Sequence, residues 1–198
     1  TSSDSIDFVI AERGITLQTP GAGSVNNTSI ASNAGIATTK LGTGAVLQVV
    51  SSISTTDVEV TGNTFTDSGL SGSITPSSAN SKILILIQQS IFIRRPSSSY
   101  ALGGSRLLRG STSIYNPNPE DNSGSYGFGF QITGQSGSYF FYGNINYTYL
   151  DSPSTTSATT YKTQIRAYTD SGLISAQETG GDNTKNSKSV ITLMEIAG

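Results

Sequence analysis

The sequence predicts an all-β protein: an antiparallel β-sandwich head of jelly-roll type, with an up-and-down barrel as the rival, carried on an extended N-terminal stalk or anchor segment. Three observations predict it. The chain is poor in helix formers and rich in Thr, Ile, Val, Tyr and Gly, which suit strands and tight turns. From residue 46 onward, short runs of alternating apolar and polar residues are broken by turn signals roughly every 8–15 residues. From Val25 to Leu41, ahead of that region, large apolar residues stand alone at spacings of five or six that fit neither a helix nor a strand.

The chain therefore reads as two parts, residues 1–45 and residues 46–198. In the first, the large apolar residues include Ile10, Ile15, Leu17, Val25, Ile30, Ile36 and Leu41, and from Val25 onward they recur every five or six residues, separated mainly by Gly, Ala, Asn, Ser and Thr. One copy of such a segment cannot bury enough surface to offset its ordering entropy. It is either a flexible arm or one strand of a multi-chain rod. In the rod, Val25, Ile30, Ile36 and Leu41 meet their equivalents on a common axis, and small residues let the chains approach. Residues 1–20 show no basic-then-apolar leader and the chain opens on Thr, the pattern expected of a processed or cropped chain.

The second part reads as a series of strands. Residues 46–51 (VLQVVS) open it, and 57–61 and 72–75 follow. Residues 82–95 are the clearest strand. Ile83, Ile85, Ile87, Gln89, Ile91 and Ile93 share a face that belongs in a core. On the opposite face Leu84 and Leu86 are apolar and the residues after them turn polar, so only the first half needs cover; these two are the oligomerisation candidates of the head. Residues 103–115 read as a hairpin turning at Gly110 and Ser111. Residues 116–125 form a surface loop, and Tyr126, Phe128, Phe130 and Ile132 alternate with smaller or polar residues after it. Tyr139, Phe141, Ile145, Tyr147 and Tyr149 then lie on one face of a strand, with Phe140, Tyr142, Asn144, Asn146 and Thr148 on the other. Residues 161–168 alternate as a half-exposed strand, 170–172 and 180–188 are loops, and 189–196 (SVITLMEI) form a closing buried strand.

Composition excludes several chemistries. There is no His and no Cys, so no Ser-His-Asp or Cys-His nucleophile, no His-ligated metal, no disulfide and no thiolate site. With 11 basic and 13 acidic side chains, the net charge of −2 argues against nucleic acid, which requires a basic surface. No apolar run approaches the roughly 18 residues of a membrane helix. Ser and Thr number 58 of 198 residues and solvate a sheet surface with little loss of side-chain entropy.

What remains is a short set of candidates. Asp57 and Glu59 share one strand face about 7 Å apart, a spacing compatible with glycoside hydrolysis but expected of any edge strand. The oxygen-rich loops at Glu120–Asp121–Asn122 and Gly181–Asp182–Asn183 lack the Ca²⁺-loop spacing and read as turns. No catalytic residue, metal ligand or cofactor is expected. Phe140 and Tyr142 point outward side by side, with Asn144 next on the same face. Such aromatics either pack on another subunit or offer faces for sugar rings, whose hydroxyls an amide can bond. Arg106 and Arg109, together with Arg94 and Arg95, are candidates for a small basic patch toward an anionic sugar.

Several stretches resemble the tail-fibre and related virion appendage proteins of marine bacteriophages: residues 44–50 (GAVLQVV), 72–85 (GSITPSSANSKILI), 106–114 (RLLRGSTSI), 150–162 (LDSPSTTSATTYK) and 189–197 (SVITLMEIA). Residues 34–46 (AGIATTKLGTGAV) are similar to stalk-to-head junctions in such fibres. These are strand and turn motifs, not catalytic ones, and residues 125–149 depart from the pattern. The resemblance implies a homotrimeric fibre on the surface of a virion, bound to other virion proteins through residues 1–45 and touching a host-surface glycan with its head. A capsid decoration or head-fibre protein of the same fold, and a capsule depolymerase, are the alternatives.

Overall fold

The computed structural model describes Ile30, Gly35 and residues 40–95, 101–116, 131–132, 139–167, 172–178 and 187–198. By internal contacts the chain divides into a unit of Thr1–Lys40 and a unit of Leu41–Gly198. Every described strand belongs to the second unit. The residues ahead of its first strand are already part of it. The Gly44 N–H donates to the Ala197 carbonyl and the Ala197 N–H to the Ala45 carbonyl, both at 2.8 Å, so the start and end of this unit lie side by side.

Eleven strands are described: β1 (Val46–Ser54), β2 (Val58–Thr61), β3 (Thr66–Ile74), β4 (Lys82–Arg95), β5 (Ala101–Arg109), β6 (Thr112–Tyr115), β7 (Gln131–Ile132), β8 (Tyr139–Asp151), β9 (Thr159–Ala167), β10 (Leu173–Ala176) and β11 (Ser189–Ile196). All their pairings are antiparallel, and they form two sheets. The predicted bounds of β4 and β11 match the structure. Strand β3 starts at Thr66, six residues before the expected start, and β10 falls in a stretch where no strand was expected.

Strand β4 is the spine of the first sheet. Its β-branched run suits a pleated, buried position. On one side β8 pairs with it from Ile83 to Arg95. The other side is shared: β11 pairs with Lys82 to Gln88, and β10 with Ile91 to Arg94. The interval between those partners would leave the Ser90 backbone unpaired. It is closed by the Gln177 N–H donating to the Ser90 carbonyl at 3.1 Å and by Ser189 Oγ accepting the Ser90 N–H at 3.0 Å. Beyond β11 lies β1, and beyond β10 lies β2.

The second sheet runs β3-β9-β5-β6, with β7 on β5 beyond the end of β6. Gly110 turns the β5–β6 hairpin with φ +58°, and Ser111 follows without a positive φ. Glycine first in a two-residue loop is the II′ arrangement, whose twist matches its flanking strands.

The two sheets share one core. Ile83, Ile85, Ile87, Ile91 and Ile93 of β4 and Ile191 and Leu193 of β11 face Leu70 and Ile74 of β3, Leu107 of β5, and Tyr161 and Ile165 of β9 in a single cluster. Each such side chain contributes roughly 1.5–3 kcal/mol through burial. Gly103 marks a close approach of the two sheets: a Cβ there would lie 2.6 Å from Ile174 Cδ1 and 2.9 Å from Ile93 Cδ1. Along the β6–β8 side, the Tyr115 ring meets Tyr147 edge-on and Tyr149 at a tilt, both at 5.5 Å between centroids. Of the aromatics that share a face of β8, Tyr147 is buried, Phe141 and Tyr149 pack against the cluster, and nothing is described of the Tyr139 side chain. Tyr126, Phe128 and Phe130 lie outside the described residues.

Candidate functional site

Among the described residues, most of the exposed large hydrophobic side chains lie on the outward face of the β4 sheet. The register places four strands in rows. Val49, Met194, Leu84 and Leu150 form one row; Ser51, Thr192, Leu86 and Thr148 the next; Ile53, Val190, Gln88 and Asn146 the third. None of these twelve residues is charged. Val49 is 56% exposed, Ile53 61% and Leu150 50%, so this is an open, uncharged face rather than a core, apolar throughout its first row and mixed with hydroxyl and amide side chains in the other two. A shallow depression of about 340 Å³ lies within it, with Leu86, Val190, Thr148, Thr192, Gln88 and Asn146 around it.

Farther along the same face the chemistry changes. Ser90 pairs with Asn144, Phe92 with Tyr142, and Arg94 with Phe140. Phe140 is 57% exposed and Tyr142 54%, whereas Phe92 is 3% exposed. The Phe92 ring stacks on Phe140 at 5.7 Å with an interplanar angle of 18°, and on Tyr142 at 4.9 Å with 37°. One buried ring thus holds two exposed ones. Asn144 and Arg94 flank them and are exposed. Phe140, Tyr142 and Asn144 come together as the alternation of β8 requires, and Leu84 and Leu86 lie on the same sheet face. Phe92 was assigned no part in this site, because its pairing with Tyr142 depends on a register no local pattern displays.

Arg106 and Arg109 do not join this group. Both lie on β5, in the other sheet. Arg109 Nη1 donates to Asp151 Oδ1 at 3.0 Å and Oδ2 at 2.9 Å, and the Tyr161 hydroxyl donates to Oδ2 at 2.7 Å. Burial, then the bond and charge of Asp151, push the Tyr161 hydroxyl above its ordinary range. Asp151 ends β8 and Phe140 is the second residue of that strand, so Arg109 stands on the order of 35 Å from the aromatic pair. Arg106 donates through Nε and Nη2 to Gln164 Oε1 at 2.9 and 2.7 Å. The Gln164 amide donates to Asp67, as does Lys162, both at 2.7 Å. The guanidiniums of Arg106 and Arg166 sit 4.2 and 4.5 Å from the centroid of the Phe65 ring. Burial raises the Asp67 carboxyl, but the bonds from Lys162 and Gln164 and the Lys162 charge outweigh it and hold the group below its ordinary value. The candidate four-arginine patch is therefore not assembled. Arg94 stands on the first sheet, Arg106 and Arg109 stand apart from it in the second, and nothing is described of the Arg95 side chain.

The other carboxylates carry structure. Glu195 accepts from Gln48 Nε2 at 2.6 Å and from the Ser77 N–H and Oγ at 2.7 and 2.6 Å. Burial alone would raise it; the bonds from Ser77 and Gln48 bring it down to about 2. This carboxylate fastens the β3–β4 connection to β11. Asp57 is raised by burial and by the charge of Glu178, a neighbour the D-x-E reading missed, while Glu59 is exposed on β2. Among the described residues, no group of three or more His, Cys, Asp or Glu could hold a metal ion. The loops at Glu120 and Asp182 lie outside the described residues, as do Val25 and Ile36; Ile30 and Leu41 are exposed. No described helix is long and apolar enough to cross a membrane.

No protein-family model matches the chain, and no curated protein sequence matches it.

Proposed function

We propose that this chain is a non-enzymatic structural protein of a virion, the subunit of a homotrimeric tail fibre whose β head attaches to a host-surface glycan. The observation that carries the reading is the twelve-residue uncharged face of β1, β11, β4 and β8. Exposed aliphatic side chains such as Val49, Ile53 and Leu150 on one sheet face call for a cover, and the cover that suits a face without charge is another face without charge. A second and third copy of this chain supply one.

Size adds to the argument. Four strands about 4.8 Å apart and five residues of about 3.3 Å rise give a flat area on the order of 300 Å². A stable interface takes roughly 800 Å² from each partner. The head face alone falls short, and the sparse aliphatic residues before residue 46 are the natural source of the remainder. Residues 1–45 also make the attachment to other virion proteins in this reading.

The strand order β1-β11-β4-β8 facing β3-β9-β5-β6 supports a jelly-roll sandwich, an architecture common in viral shell and lectin domains. That β2 and β10 extend one sheet is an elaboration of this plan. A non-enzymatic role is supported by the engagement of Asp67, Asp151 and Glu195 in structural bonds.

Electron microscopy of the purified full-length chain tests the reading. Threefold particles with a thin rod and a compact cap are expected; isolated single globules contradict it.

A further inference from the structure

We infer that the Arg94–Phe140 end of the β4–β8 ladder is a binding site for an acidic sugar, a hexopyranose bearing a carboxylate. The inference rests on the attachment reading above and names the class of its ligand.

Three cross-strand pairs build the site: Arg94 with Phe140, Phe92 with Tyr142, and Ser90 with Asn144. Directly opposed residues on one face of an antiparallel pair have Cβ atoms about 5 Å apart. The guanidinium therefore stems from a point beside the Phe140 ring. Sugar rings present C–H faces that stack on aromatic faces, and Phe140 and Tyr142 offer two such faces two residues apart. Both are already packed on Phe92 at 5.7 and 4.9 Å, so little side-chain freedom remains to be lost on binding. The Asn144 amide has a donor and an acceptor for hydroxyls. Ser90 is occupied, since its hydroxyl accepts from Ser187 Oγ at 2.7 Å, and is not counted as a contact.

Arg94 sets the class. It is exposed and makes no ion pair among the described residues, whereas Arg109 is bonded to Asp151 and Arg106 to Gln164. A planar guanidinium bonds a carboxylate through two parallel N–H groups, a geometry that neutral sugars do not match. The stretch from Phe140 to Asn144 is about 13 Å, enough for a short oligosaccharide. The aromatic and charged makeup of this end also separates it from the uncharged rows at the other end of the face, which suit self-association.

The test is an NMR titration of the full-length chain with an oligouronate and with a neutral oligosaccharide of equal length. The uronate is expected to bind about tenfold more tightly. Arg94→Gln should erase that preference while leaving weak binding of both sugars, and Tyr142→Ala should abolish both. Equal affinity of the wild type for the two sugars overturns the inference, as does no binding at millimolar sugar or unchanged affinity in Tyr142→Ala. Light scattering of the same variants separates the two readings. If Tyr142→Ala breaks up the assembly, the aromatic pair belongs to a subunit interface and the sugar site is wrong. If the variants remain assembled and no sugar binds, the trimer stands without this site.

Discussion

The Arg109 guanidinium grips the Asp151 carboxylate through both oxygens and so ties β5 of one sheet to β8 of the other. Asp151 is buried and also accepts the hydroxyl of the fully buried Tyr161 on β9. One side chain thus collects a donor from each of two strands of the opposing sheet. Removing it leaves a phenol unpaired in the core and a guanidinium without its partner.

Asp151→Ala is therefore expected to lower stability by roughly 2–4 kcal/mol, the cost of breaking a buried pair by deleting one member. Arg109→Met, which removes the more exposed partner and keeps most of the stem, should cost less. Urea denaturation of the two variants checks the order. An Asp151→Ala midpoint equal to that of the wild type would show that the bridge contributes nothing.

Glu195 predicts a dependence on acid. Its carboxyl lies at about 2 in the folded protein against 4.5 as its ordinary value, so the folded state binds the proton less readily than the unfolded one. The stabilisation is complete above pH 4.5 or so and is lost as pH falls toward 2, by an amount on the order of 3 kcal/mol. Glu195→Gln should be less stable than the wild type at neutral pH and should show a flatter profile between pH 5 and 2. Parallel profiles for the two proteins would contradict the assignment.

Gly103→Ala tests how closely the sheets meet. The added methyl would overlap the Cδ1 atoms of Ile174 and Ile93, and overpacking of this kind costs about 1–3 kcal/mol. Pairing it with Ile174→Val, which trims the nearer neighbour, should recover part of the loss. Thermal unfolding of the single and double variants reads the difference. A Gly103→Ala protein as stable as the wild type would show that the sheets are less tightly opposed.

What could be read from residues alone follows from how local each signal is. Strand β4 was legible because six alternate side chains from Ile83 to Ile93 mark one face. Phe140 and Tyr142 were placed outward by the same parity argument on β8. Strand β10 was not legible: Leu173, Ile174, Ser175 and Ala176 are all buried, so the stretch shows no alternation. The start of β3 was hidden by Asp67, Ser68 and Gly69, small or polar residues that carry no strand signal and sit at an irregularity in the β3–β9 pairing. The arginines failed as a patch for a different reason. Arg94, Arg106 and Arg109 are close in sequence, but the chain passes from one sheet to the other between β4 and β5, and no local pattern states that crossing.

The most direct measurement of the central claim is the molar mass of the full-length chain and of its Leu86→Lys variant by light scattering at micromolar concentration. Leu86 sits in the middle of the uncharged rows, and a lysine there brings one charge per subunit into the expected contact. The account predicts three times the 20.6 kDa chain mass for the wild type and a shift toward the single-chain mass for the folded variant. A wild-type chain that remains at its single-chain mass contradicts it.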